Sequence, residues 1–254
     1  MISALKSEIY KLLTVRTTYI WSAVGILFIS FFSYWVWGYK YDGTLSSLTL
    51  AGTITQVASV VSLFGAIVAL LLMTHEYRHN TIVYTLTASN GRLKVLVAKI
   101  MAVMTYTFVF SFIATLLALV LIRLGISASS QTLPAQDINY IVYLAKSVFE
   151  SLGYALAALL FAALIRNQVG SLAVLFIVPN TVEGLLSLLL KHNSVYLPFT
   201  ALQQVIQAPT LPGSRGELSA LGYIAPLKAA VLFAVYLTAG WLVCSYLFVR
   251  RDAS

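Results

Sequence analysis

The 254-residue chain is 60% hydrophobic and only 9% charged, with a mean hydropathy of +0.90. A soluble domain of this length carries far more charge on its surface, so the balance excludes a water-soluble globular protein and points to one integral membrane domain over residues 1–254. The net charge of +8 comes from sixteen Lys and Arg scattered around apolar runs rather than gathered in a tract, so they read as topology signals and not as a nucleic-acid surface.

Residues 1–19 place Ile2, Leu5, Ile9, Leu12 and Leu13 at helical spacing, with Lys6, Glu8, Lys11 and Arg16 largely off that stripe. The pattern predicts an amphipathic helix lying along the membrane interface. It is read as retained, because the next apolar run is too long and aromatic for a cleaved leader and no small-residue cleavage site follows. Spans are expected over about 20–37, 52–73, 95–123, 140–165, 169–190 and 229–249, each long enough for about 30 Å of hydrocarbon. In the third, Lys99 and Arg123 stand at the two ends, from which they could reach head groups. A Ser-rich link with Pro134 breaks the chain before the fourth, and Arg166-Asn167-Gln168 makes a tight turn into the fifth.

The connection before the sixth span contains Pro198, Pro209, Pro212, Gly213 and Gly216, yet residues 196–206 keep Leu197, Leu202, Val205 and Ile206 apolar. That stretch is expected to dip into the interface as an apolar outer segment. Basic residues concentrate at the N-terminus, the second link (Arg78, Arg92, Lys94, Lys99), Arg166 and the C-terminal Arg250-Arg251, so the positive-inside bias puts both termini in the cytoplasm. The single cysteine, Cys244, excludes an intramolecular disulfide and reads as a small buried apolar residue.

The link between the second and third spans carries two competing signals. His75-Glu76-Tyr77-Arg78-His79 is a literal H-E-x-x-H, in which His75 and His79 would hold zinc and Glu76 would activate a bound water. A third ligand is missing from that side: His192 falls on the opposite face of the membrane in this topology. A membrane-embedded zinc metallopeptidase therefore stands as the alternative enzyme reading. A secondary transporter, or an immunity protein without an ATPase, is a further alternative.

Taken whole, the link resembles that of ABC-2 type exporter permeases, particularly six-span subunits of bacitracin and lantibiotic-immunity transporters. The residues that carry the resemblance are Glu76 closing the second span, Thr81 with Ile82, Leu86, then Arg92 and Lys99 opening the third. Asn80 stands where a glycine is common, and Ala88-Ser89-Asn90 lacks the usual proline. The resemblance implies a coupling helix over Glu76, Tyr77, Arg78, His79, Asn80, Thr81, Ile82 and Leu86 that docks on a separate ATPase. No G-x-x-x-x-G-K-[ST] occurs in the chain, so ATP and Mg would belong to that partner and this chain would carry no cofactor. It also implies a permease dimer, identical or with a relative, in a bacterial cell membrane, exporting a peptide antibiotic, a lipid-like molecule or another hydrophobic substrate.

Ionisable residues inside spans cost roughly 2.5–3.5 kcal/mol each on insertion scales, so they tend to be paired or used. Lys146 and Glu150 are four apart on one helix, and Glu183 falls at similar depth on the next. A cluster of Lys146, Glu150 and Glu183, capped by Arg123 and Lys228, is expected, either as a structural ion-pair network or as the lining of a substrate path. Pro179-Asn180 is expected to kink the fifth span just before Glu183.

Overall fold

The computed structural model describes residues 2–39, 47–78, 92–129, 139–207 and 224–250. All regular structure among them is helical. Helix α1 (Ile2–Thr14) is followed by α2 (Arg16–Phe31), whose last turns widen into a π-helical stretch, Phe32–Tyr39. Then come α3 (Ser47–Arg78), α4 (Arg92–Ala128), α5 (Tyr140–Ile165) and α6 (Gln168–Ile177). A π turn, Val178–Val182, leads to α7 (Glu183–Leu190), a 3-10 stretch (Lys191–Tyr196), α8 (Pro198–Gln207) and α9 (Pro226–Arg250).

Six of these helical segments are long and apolar enough to cross a membrane, and the chain is accordingly a multi-pass membrane protein. They are not equivalent. In the second span 83% of the most apolar window is buried within the protein, against 11% in the fifth, so α3 is the axis and α6–α7 lies outside it. Helix α5 packs along α3 because both present small side chains: Ala66 and Ala69 on α3 meet a face carrying Ser147, Ser151, Ala155, Ala158 and Ala162. Hydrocarbon gives no hydrophobic drive between helices, so close approach through small residues is what van der Waals packing rewards. A second apolar cluster joins α2, α3 and α4 through Ile29, Val57, Val61, Phe64, Phe110 and Ala114. Where the π stretch of α2 meets α4, Gly38 faces Gly125; a Cβ on Gly125 would lie 2.5 Å from the Tyr34 carbonyl oxygen. Only paired glycines allow that crossing.

The turn into the fifth span is built as the sequence suggests. Arg166 takes the left-handed conformation at the end of α5, and Asn167 caps α6 by accepting from the amides of Val169 and Gly170 at 2.9 and 3.1 Å. At Pro179 the helix does not break; it widens into the π turn, and Asn180 donates its side-chain amide to the Phe176 carbonyl at 2.9 Å.

Two amphipathic stretches bury much of their apolar faces against the rest of the protein. On the stripe of α1, Leu12 is buried against Val68 and Ala102, with Leu5 and Ile9 packed beside it. That part of the stripe packs on protein, against α3 and α4, while Leu13 is exposed. The apolar stretch before the sixth span likewise forms α8, with Phe199, Ala201, Leu202, Val205 and Ile206 buried. Leu202 meets the face of α5 at Gly153, where a Cβ would come within 3.0 Å of its methyl groups. Residues 208–223, the remainder of that connection, lie outside the described residues.

Candidate functional site

The second span runs further than its apolar residues alone indicate, so His75, Glu76, Tyr77 and Arg78 form the last turn of α3. The third begins at Arg92, which places Lys99 two turns inside α4 rather than at its end. Lys99 does not reach for head groups: it is fully buried, and its Nζ lies 2.7 Å from Glu76 Oε1 and 2.8 Å from Glu8 Oε2. Lys11 Nζ closes the figure, 2.7 Å from the same Glu76 oxygen and 2.8 Å from Glu8 Oε1. Two carboxylates and two ammonium groups from α1, α3 and α4 thus form one ring of four ion pairs.

Formal charge in the ring cancels, which is the condition for burying it. Each ion loses several kcal/mol of hydration on burial, and only close, hydrogen-bonded opposite charges offset that. Glu8 and Glu76 are almost wholly buried, while Lys11 remains one-third exposed. Burial pulls the Lys11 ammonium down, but hydrogen bonds and charge from Glu76 and Glu8 outweigh it and hold Lys11 above the ordinary lysine value. The next residue of the turn, Tyr77, lies under the Arg166 guanidinium at 5.6 Å and packs against the apolar cluster that includes Cys244. Cys244 is buried, as its setting in the sixth span suggests. One turn of α3 therefore meets α1, α4, the α5–α6 turn and α9.

This foot flanks residues 79–91. His79, Asn80, Thr81, Ile82 and Leu86 of the expected coupling helix lie outside the described residues; Glu76, Tyr77 and Arg78 belong to α3 itself. The zinc reading also depends on His79. Among the described residues no three His, Cys, Asp or Glu side chains come together as a metal site. Glu76 Oε1, for its part, already accepts from two lysines.

The intramembrane residues are not gathered into the expected cluster. Among the described residues neither Glu150 nor Glu183 forms an ion pair. Lys146 Nζ reaches the Ile206 carbonyl at 3.5 Å and lies 5.8 Å over the Tyr143 ring. Glu150, fully buried, accepts from Ser59 Oγ on α3 at 3.3 Å. Glu183 accepts from the Phe199 amide at 2.8 Å, the Thr200 amide at 2.7 Å and Thr200 Oγ1 at 2.9 Å. It caps the amino end of α8, where orphan amides and the helix dipole stabilise a carboxylate. Arg123 stacks over Tyr140 at 4.2 Å, and Lys228 is exposed at the start of α9. Lys146, Glu150, Glu183 and Arg123 each meet a separate local partner, and similarity of depth does not bring them together.

The ring was missed from sequence because Glu8 and Lys99 are 91 positions apart. One signal was present. Contrary to the expectation that it lies off the apolar stripe of α1 with the other charges, Glu8 follows Leu5 by three and precedes Leu12 by four, which puts it on the stripe, where a charge requires a buried partner. No protein-family model matches the chain, and no curated protein matches it in sequence.

Proposed function

We propose that this chain is the permease subunit of an ATP-binding cassette exporter, moving a peptide antibiotic, a lipid-like molecule or another hydrophobic substrate across a bacterial cell membrane. ATP hydrolysis is the work of separate ATPase subunits, which engage residues 79–91 from the cytoplasm, and a second permease copy or a relative completes the transmembrane unit. Both termini are cytoplasmic in this reading, as the distribution of basic residues favours.

The observation that carries the reading is the pinning of Glu76 by Lys99 and Lys11. It joins both feet of the 79–91 segment, the end of α3 and the start of α4, to each other and to α1. A push on a segment so footed moves three helices as a body, and rigid-body motion is the means by which a remote ATP cycle acts on a membrane bundle. The literal zinc motif is better explained the same way, since its glutamate serves the ring. The test is co-purification in mild detergent with any Walker-motif ATPase encoded beside it. A stable complex whose ATPase activity falls when Glu76 is replaced by Ala is the expected result. Recovery of the intact chain with no ATPase bound, from membranes containing both, would overturn the proposal.

A further inference from the structure

The first turns of α9 border an open groove of about 570 Å³, lined by Tyr196, Ile224, Leu227, Lys228, Val231 and Val235 among others. Among the described residues its walls are almost entirely aliphatic, and Lys228 is the one charged side chain lining it. Among the described residues no carboxylate pairs with that lysine. Tyr236 donates its hydroxyl to the Tyr196 carbonyl at 3.1 Å, tying the far wall to α9.

Lys228, Val231 and Val235 are spaced by three and four, so they form one stripe along the helix. Lys228 lies in the first turn of a membrane span, at head-group depth, and Val235 lies about 10 Å deeper along the helix axis. A cation at the interface followed by an aliphatic channel running into hydrocarbon matches one kind of molecule, an amphiphile with an anionic head and an acyl tail. We propose that this groove binds an anionic phospholipid of the surrounding bilayer, its phosphate against Lys228 and one acyl chain along Val231 and Val235. The inference rests on α9 crossing the membrane and is independent of the exporter reading.

The test is native mass spectrometry of the full chain released from nanodiscs containing equal amounts of phosphatidylglycerol and phosphatidylcholine. Retention of phosphatidylglycerol in about fivefold preference is expected, the ratio that one lysine at an anionic surface supplies. Lys228→Glu should abolish the preference, and Val231→Trp, which fills the groove, should lower retention of both lipids. Lys191→Ala, at an exposed lysine outside the groove, should change neither. Gel filtration confirms that each variant stays folded. Equal retention of the two lipids by the wild-type chain, or a preference that survives Lys228→Glu, would overturn the proposal. So would a Val231→Trp variant that changes oligomeric size while keeping its lipid, because the occupant would then be a second copy of the chain.

Discussion

The two ends of this bundle handle buried charge in opposite ways. At the foot of α3 and α4, two acids and two bases from three helices close into one ring, and each member depends on the others. Around α8, Lys146, Glu150 and Glu183 meet separate partners, a carbonyl, a hydroxyl and a helix end, and Glu150 keeps its buried Oε2 without a hydrogen bond. The difference shows what decides whether buried charges pair. Glu183 meets three donors aligned at a helix amino terminus, and a preformed set of that kind outcompetes a flexible lysine on another helix. Glu8 and Glu76 have no such set and are left to the lysines.

The comparison predicts a graded series of losses. Lys99→Met should be the most damaging change, because it leaves two buried carboxylates facing one lysine that is one-third exposed. Breaking a buried pair from one side costs roughly 3–5 kcal/mol, readable as a large fall in thermal stability in detergent. Glu183→Ala should cost about 1 kcal/mol, the usual worth of an amino-terminal cap, and should appear as faster amide exchange confined to the start of α8. Glu183→Gln, which keeps an acceptor, should recover part of that loss. Glu150→Gln should be smallest, within about 1 kcal/mol, because its hydrogen bond to Ser59 is long and the amide can also accept it. A loss from Glu150→Gln as large as that from Lys99→Met would mean that Lys146, Glu150 and Glu183 form an ionic network after all.

A fourth prediction sharpens the ring itself. The Lys11 ammonium is held above its ordinary value, so the stabilisation it contributes is complete below that ordinary value and is lost as pH rises through the elevated one. Wild-type protein should therefore lose stability at strongly alkaline pH by a step that Lys11→Met lacks.

Much of this architecture is legible in the sequence. Hydropathy places six spans, Asn167 marks the turn into the fifth, and Pro179 marks its irregularity. The ends of the spans are less so, because α3 and α4 continue through polar residues once the ring satisfies them; hydropathy alone stops at Met73. The amphipathic faces of α1 and α8 are legible as faces, but not what covers them. An apolar stripe beside lipid and one beside protein look the same in one dimension. The ring itself is a tertiary fact. Its elements are within reach of sequence reading only through Glu8, a charge placed on an apolar stripe.

The central claim is that Glu8 and Lys99 act as one unit joining α1 to the base of the 79–91 segment. A double-mutant cycle of Glu8→Gln and Lys99→Met, read as unfolding free energy in detergent, tests it most directly. The ring predicts a coupling of about 1–3 kcal/mol, with the double variant markedly more stable than the sum of the single losses. Strict additivity of the two substitutions would contradict it.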